Sequence, residues 1–309
     1  MTLRLRIGAR GSPLSLTQTG WVCAELARAL GQDPATIEII PIVTSGDVRQ
    51  EGRLLEVGGK GLFTKELDEA LLAGRIDCAV HSLKDLPTRL PDGIALAAVP
   101  AREDVRDAFV SPHADRLEAL PAGAVLGTAS LRRQAQALHA RPDLSVTLLR
   151  GNVDTRLRKL AEGQAHATFL AAAGLKRLGL IDRAAGFTDP VAMPPAVGQG
   201  ALAITARPED GPVWQALRRI ADAQAEITIA AERAFLDALD GSCRTAIGAF
   251  ATIQGEALDF IGEALTGDGA KRWRRNGSCE AAIDDAAALG RELGLAIKAE
   301  AGDALTHAG

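Results

Sequence analysis

From its first residues to about residue 206 the chain alternates short apolar runs with amphipathic stretches, and this restricts the fold more than any other feature. Apolar runs at 3–7, 37–43, 77–81, 94–99, 124–127, 146–149, 167–170 and 201–205 read as strands. Helical periodicity falls between several of them, at 14–30, 64–73, 131–140 and 153–162. Strand and helix in alternation predict α/β units with mostly parallel sheets. Ligands of such sheets bind at the carboxyl ends of strands, where loops lead into helix N-termini.

Two segments look like crossings between domains, Pro100-Ala101-Arg102-Glu103-Asp104 and Met193-Pro194-Pro195-Ala196-Val197-Gly198. If both join the same pair of domains, the segment between them is an inserted second lobe. The expected division is 1–100 with 198–219 as one lobe, 101–197 as a second, and 220–309 as a small α+β domain. Two lobes joined by two crossovers form a cleft able to close on a ligand. In the last part, helices are expected at 225–239 and 281–298, with apolar stretches at 247–253 and 257–265 between them. Asn276-Gly277-Ser278 reads as a plain turn.

Composition narrows the function classes. Aromatics are 3% of the chain, too few for stacking platforms along single-stranded nucleic acid, and the net charge of −4 argues against a generally basic nucleic-acid or membrane binder. The start of the chain alternates Leu3, Leu5 and Ile7 with Arg4 and Arg6, a strand pattern and not a signal peptide, and no run nears the roughly 18 apolar residues of a membrane span. Four cysteines in 309 residues make no disulfide framework, so a reducing, cytoplasmic setting is expected. The small net charge conceals an asymmetry. Residues 128–177 hold nine basic and three acidic side chains, a net of +6, while 220–309 hold eight basic and fifteen acidic, a net of −7.

Several motifs resolve into ordinary structure. Gly58-Gly59-Lys60-Gly61 lacks both the earlier glycine, replaced by Leu54, and the following Ser or Thr of a phosphate loop. Gly198-Gln199-Gly200-Ala201-Leu202-Ala203 fits G-x-G-x-x-A by letter but leads into a strand. The five histidines show no ligand spacing and no cysteine pair supports zinc, so no metal is expected. Cys23 and Cys78 fall on core positions of a helix and a strand. Cys243, in the polar loop Gly241-Ser242-Cys243-Arg244-Thr245, is read equally well as a surface thiol or as one activated by Arg244.

The densest polar cluster, His81-Ser82-Leu83-Lys84-Asp85-Leu86-Pro87, follows a strand directly and so falls where α/β sites are built. Ser82-x-x-Asp85 also fits a capping box, and Lys84 beside Asp85 an exposed ion pair. The arginines repeat this placement. Arg10 and Ser12 follow the first strand; Thr128, Ser130, Arg132 and Arg133 follow the strand ending at Gly127; Arg150, Asn152 and Arg156 follow the one ending at Leu149; Lys176 and Arg177 come just after the one ending at Leu170. A guanidinium donates two parallel hydrogen bonds to a carboxylate. Repeated at four loops, that pattern implies a polyanionic ligand.

These segments resemble one family. Arg10-Gly11-Ser12-Pro13-Leu14, Gly58-Gly59-Lys60-Gly61-Leu62-Phe63, His81 to Pro87, Thr128-Ala129-Ser130-Leu131-Arg132-Arg133, Arg150 to Arg156, Pro195-Ala196-Val197-Gly198-Gln199-Gly200 and Gly241-Ser242-Cys243 occur in order, as in the porphobilinogen deaminases, or hydroxymethylbilane synthases. The resemblance runs from residue 4 to about 250. It implies two lobes like those of type II periplasmic binding proteins plus a small α+β domain. It also implies a dipyrromethane cofactor on a thioether to Cys243, and the head-to-tail joining of four porphobilinogen molecules with loss of ammonia. Asp85 is then the catalytic carboxylate, facing pyrrole N–H groups. Ser82, Lys84, Asp85, Thr128, Ser130, Arg132, Arg133, Asn152 and Ser242 are expected to hold the cofactor. Arg10, Ser12, Gln18, Arg150, Arg156 and Arg177 would take the incoming substrate, and Lys60 and Phe63 belong to a lid loop. Each pyrrole carries an acetate and a propionate, which accounts for the arginines. The enzyme is expected as a cytoplasmic monomer acting on a small molecule, with no nucleic-acid or membrane partner. The chain departs from the family pattern in having Arg244-Thr245-Ala246 after Cys243 and Thr17 before Gln18. The alternative is a non-catalytic binding protein for a polycarboxylate, which needs neither Asp85 nor Cys243.

Overall fold

A computed structural model describes residues 3–45, 64–208, 211–241 and 245–305. Along the chain the strands and α-helices are β1 (Leu5–Arg10), α1 (Pro13–Leu30), β2 (Ile37–Ile42), α2 (Lys65–Leu72), β3 (Cys78–Ser82), β4 (Ala95–Ala98), β5 (Asp107–Val110), β6 (Val125–Gly127), α3 (Leu131–Ala140), β7 (Ser145–Thr147), α4 (Val153–Ala161), β8 (Ala167–Ala171), α5 (Ala172–Arg177), β9 (Gly186–Phe187) and β10 (Leu202–Ala206). There follow α6 (Gly211–Arg218), α7 (Ala223–Ala238), β11 (Ala246–Gln254), β12 (Ala257–Leu265), β13 (Arg272–Glu280) and α8 (Ile283–Ala301). The described residues fall into two compact units, one of 3–45, 64–103 and 200–226 and the other of 104–199 and 227–305.

The first unit is a five-stranded sheet in the order β2-β1-β3-β10-β4. β1 lies parallel to β2 and β3, while β10 runs antiparallel to β3 and β4. Leu5, Ile7 and Ala9 of β1 are buried, and at Gly8 a Cβ would meet Ile76 Cδ1 at 2.4 Å. The strand runs three residues past its predicted end because its register with β2 continues from Leu5 opposite Ile37 to Arg10 opposite Ile42. α1 begins at a Ser12 cap with Pro13 at its first position and stops at Gly31, left-handed at φ 63°. Its face of Val22, Cys23, Leu26 and Ala27 packs on Leu5 and Ile7.

The second unit holds two sheets. The order β7-β6-β8-β5-β9 repeats the plan of the first unit, with β6 parallel to β7 and β8 and with β5 antiparallel to β8 and β9. The prediction of mostly parallel sheets holds: in each five-stranded sheet four strands run one way, the exceptions being β10 in the first and β5 in the second. A parallel neighbour needs a crossover of a dozen or more residues, whereas β5 and β10 enter straight from the two crossing segments. The short β5 was absent from the sequence reading. Its four residues are all buried, Phe109 meeting the Phe169 ring edge-on at 5.4 Å while Ala108 and Val110 join the core on the opposite face.

The third sheet is the antiparallel meander β11-β12-β13. Asn276-Gly277-Ser278, expected as a turn, instead lies within β13, where every residue from Arg272 to Glu280 pairs with β12. Long-range pairing overrides the local turn preference, and Ser278 Oγ donates to Asp259 Oδ1 at 2.6 Å. α8 approaches α7 closely because two of its residues have no side chain. A Cβ on Gly290 would sit 2.1 Å from the Ala231 carbonyl oxygen, and one on Gly294 2.8 Å from the Phe235 oxygen.

Candidate active site

In the first unit the carboxyl ends of β1 and β3 build one cleft, lined by Arg10, Ser12, Leu14, Ser15, Gln18, Thr64, Val80, His81, Ser82 and Asp85. Four residues expected to serve the ligand, Arg10, Ser12, Gln18 and Ser82, thus come together with Asp85. Ser12 Oγ caps α1, accepting from the Ser15 N–H at 3.4 Å. Gln18 is buried and its Nε2 donates to Ser82 Oγ at 3.1 Å, so these two polar groups orient each other. His81 turns inward, its Nε2 3.2 Å from Thr205 Oγ1. Burial, reinforced by the Arg10 charge, pushes its imidazole down to about 4, so it is neutral at pH 7.

Beyond β3 the chain makes one 3-10 turn, Leu83–Asp85, anchored by the buried Leu83, whose N–H donates to the Ala201 carbonyl at 3.0 Å. The turn leaves Asp85 exposed and Lys84 half-buried. Ser82 makes no side-chain cap bond at the turn, which removes the capping-box reading. Leu86 is extended at ψ 141°, as the following Pro87 requires.

In the second unit the predicted loops follow the same logic. Ser130 Oγ caps α3 by accepting from the Arg133 N–H at 3.4 Å, and the Ser130 N–H donates to Thr128 Oγ1 at 3.1 Å. Asn152 Oδ1 caps α4 through the Thr155 N–H at 2.8 Å. Arg156 Nε donates to the Gly151 carbonyl at 2.8 Å, and Arg150 is half-buried with its Nη1 lacking an acceptor among the described residues. Arg177 ends α5, half-buried.

Arg132 and Arg133 carry a constraint that the motif alone did not reveal. Both are buried against Asp107, Arg132 Nη1 donating to Oδ2 at 2.8 Å and Arg133 Nη2 to Oδ1 at 2.7 Å. Gln199 Nε2 adds a bond to Asp107 Oδ1 at 2.9 Å, giving the Pro195–Gly200 motif a structural role. Burial pushes the Asp107 carboxyl upward, but the two guanidinium charges outweigh that and hold it well below the usual carboxylate range. Two cations against one anion leave the cluster net positive. Arg132 Nε is buried without an acceptor among the described residues, a donor left available for a carboxylate. The sequence reading missed Asp107. Its signal was an acidic residue opening an otherwise apolar four-residue stretch.

Each unit by itself offers donors suited to carboxylates such as those of dipyrromethane: the Arg10 cleft in the first, and the orphaned Arg132 Nε and Arg150 Nη1 with the Thr128 and Ser130 hydroxyls in the second. Lys60, Phe63, Ser242 and Cys243 lie outside the described residues. Of the other thiols, Cys23 and Cys78 are buried and Cys279 packs half-buried on the third-sheet core, and burial raises Cys23 to about 11.

Two family models cover most of the chain. Residues 5–215 match the porphobilinogen deaminase dipyromethane cofactor binding domain, and 226–299 match the porphobilinogen deaminase C-terminal domain. A porphobilinogen deaminase of Caulobacter sp. (strain K31) is 59% identical over 312 residues, covering 97% of each chain. One of Phenylobacterium zucineum is 56% identical over 315 residues, covering 97% of this chain and 98% of its own. One of Nitrobacter winogradskyi is 52% identical over 297 residues, covering 96% and 93%. Among solved structures, a nutrient binding protein from Burkholderia cenocepacia bound to methionine aligns loosely, with a TM-score of 0.44 at 14% identity over 69% of this chain and 90% of its own. With both family models matched and identity above one half along nearly the whole length, the chain belongs to the porphobilinogen deaminase family.

Proposed function

We propose that the cleft of the first unit and the arginine loops of the second carry the family's reaction with the residue roles given below. The reaction joins four porphobilinogen molecules head to tail, with loss of ammonia, and releases linear hydroxymethylbilane by hydrolysis, a step of tetrapyrrole biosynthesis. Dipyrromethane, held through the Cys243 sulfur, supplies the acceptor pyrrole. The observation that carries the reading is one exposed carboxylate, Asp85, on a 3-10 turn beside Arg10, Ser12 and Ser82 in a single cleft.

Asp85 is the catalytic residue. Its carboxylate oxygens accept hydrogen bonds from pyrrole N–H groups, and the negative charge stabilises the cation that develops when ammonia leaves. The aminomethyl group leaves as ammonia from its protonated form, and one Asp85 oxygen takes the ring proton lost when the new carbon–carbon bond forms. His81, neutral and turned toward Thr205, takes no part in that transfer. Arg10, Ser12 and Gln18, with Arg150, Arg156 and Arg177, bind the acetate and propionate of the incoming unit. Ser82, Lys84, Thr128, Ser130, Arg132, Arg133, Asn152 and Ser242 bind those of the cofactor. Lys60 and Phe63 close over the site.

Three separate sheets support a division into domains at 1–100 with 198–219, 101–197 and 220–309. Free thiols at Cys23, Cys78 and Cys279 support a reducing, cytoplasmic setting. Among the described residues no helix is long and apolar enough to cross a membrane. We read the enzyme as a monomer, which light scattering on the purified protein tests.

Intact-mass measurement and turnover test the roles. Wild-type protein should carry an adduct of two pyrrole units that is absent from Cys243→Ser. Asp85→Asn should fold normally and lose at least about a hundredfold in porphobilinogen consumption. Wild-type-like turnover by Asp85→Asn would remove Asp85 from the mechanism.

A further inference from the structure

The third sheet contributes a carboxylate that none of the chemistry above uses. Glu263 of β12 is 1% exposed, and a buried charge is costly unless partners surround it. Leu265, two residues on and thus on the same strand face, packs with Ala135 of α3 and Ala246 of β11, so Glu263 is aimed at α3. There Gln136 Nε2 donates to Glu263 Oε1 at 2.8 Å and to the Pro194 carbonyl at 2.8 Å. With both amide hydrogens committed, Gln136 has a single orientation, its Oε1 toward Arg132. Arg132 Nη1 donates to that oxygen at 2.8 Å and to Asp107 Oδ2 at 2.8 Å. The other Glu263 oxygen faces Arg274, 3.6 Å from its Nη1.

We infer that Glu263 is a positioning residue: through Gln136 it fixes the Arg132 guanidinium so that its unpaired Nε is presented to a cofactor carboxylate. The inference rests on the reading of Arg132 as a cofactor-binding residue. The rest of α3 is held to the same β12–β13 turn, Gln134 Nε2 donating to the Gly267 carbonyl at 3.1 Å and the His139 ring Nδ1 lying 2.9 Å from the Gly269 oxygen. The domain expected to carry Cys243 therefore also orients the helix that bears Ser130, Arg132 and Arg133. Replacing Glu263 by an apolar residue removes one of the two acceptors of the Gln136 amide, leaving the Pro194 carbonyl alone to hold its orientation and a buried N–H unpaired.

The test is cofactor loading. Glu263→Leu, Glu263→Gln, Gln136→Leu, the Glu263→Leu/Gln136→Leu pair and Arg132→Met are prepared as apoprotein. Reconstitution with porphobilinogen is followed by intact mass, with thermal melting alongside. Glu263→Leu should load about tenfold more slowly, and Glu263→Gln, which keeps an acceptor oxygen, within about twofold of wild type. Because the effect runs through Gln136, Glu263→Leu should add nothing in the Gln136→Leu background. If Glu263→Leu does not fold, Gln136→Leu carries the test and must reproduce the slow loading. Normal loading by Glu263→Leu or Gln136→Leu while Arg132→Met loads poorly overturns the inference, as does a multiplicative effect in the pair. Normal loading by Arg132→Met overturns the cofactor role of Arg132 itself, and the inference with it.

Discussion

Replacing Asp107 by Asn tests how the arginine-rich loops hold together. The carboxylate is fully enclosed and accepts from Arg132 Nη1, from Nε and Nη2 of Arg133 at 3.2 and 2.7 Å, and from Gln199 Nε2. Asn keeps the shape and one acceptor oxygen but removes the charge. Its NH₂ also meets donors on one side. Two guanidinium groups, both under a tenth exposed, are then left with no carboxylate among these contacts. Breaking a buried ion pair on one side costs about 3–5 kcal/mol. For a folding unit of this size that corresponds to a melting shift of about 6–20 °C. Because the Asp107 carboxyl is held below its usual range, its stabilisation is present above the unfolded pKa of about 3.9 and disappears as pH falls through the lower folded value. Wild type should lose stability on acidification in that window, and Asp107→Asn should have lost it at every pH. Urea denaturation from pH 7 down to about pH 1 measures both effects. Asp107→Asn/Arg133→Met, which removes a cation together with the anion, should recover part of the loss. A single variant within about 1 kcal/mol of wild type at pH 7 would refute the reasoning.

Three further outcomes follow from the packing and the titrating groups. Gly290→Ala should destabilise the third-sheet region by about 1–3 kcal/mol, since the new methyl must displace the Ala231 backbone from 2.1 Å; an unchanged melting curve contradicts that close approach. Burial raises Asp68 to about 6, so the folded state binds its proton more tightly than the unfolded one. Its contribution to stability is therefore greatest below about pH 4 and falls as pH rises to 6, a slope that Asp68→Asn should flatten in pH-dependent melting. With Ellman's reagent at neutral pH, native apoprotein should react at one more thiol than holoprotein, the difference being Cys243. Cys23 and Cys78 should react only on unfolding, and equal counts in the two forms would argue against the Cys243 attachment.

Much of the fold could be read along the chain because its elements are set by local periodicity. α1 shows the reason: Ser12, Pro13 and Gly31 mark its ends and Val22, Cys23 and Leu26 its buried stripe, all within one segment. Every strand proposed before residue 206 has a counterpart displaced by no more than three residues. What escaped were features made by partners distant in sequence. β5 is too short to show a period and exists because Asp107 to Val110 pair with Ala171 to Thr168. β13 is polar and turn-like by letter, and pairing with β12 makes it a strand.

The site divides along the same line. The sequence alone determined which residue types stand at the carboxyl ends of the strands, the Arg10, His81, Thr128 and Arg150 clusters, because a loop after a strand is a local fact. The charge asymmetry and the family resemblance, with the candidacy of Asp85 and Cys243 that it implies, were also present in the order of residues. Only the tertiary structure decided which of those groups are engaged inside the protein. Ser82 pairs with Gln18 across 64 positions, and Arg132 and Arg133 close on Asp107 across 25 and 26. Gln136 reaches Glu263 across 127. A buried charge must find its counter-charge wherever the fold brings one, and no spacing in the sequence encodes that distance.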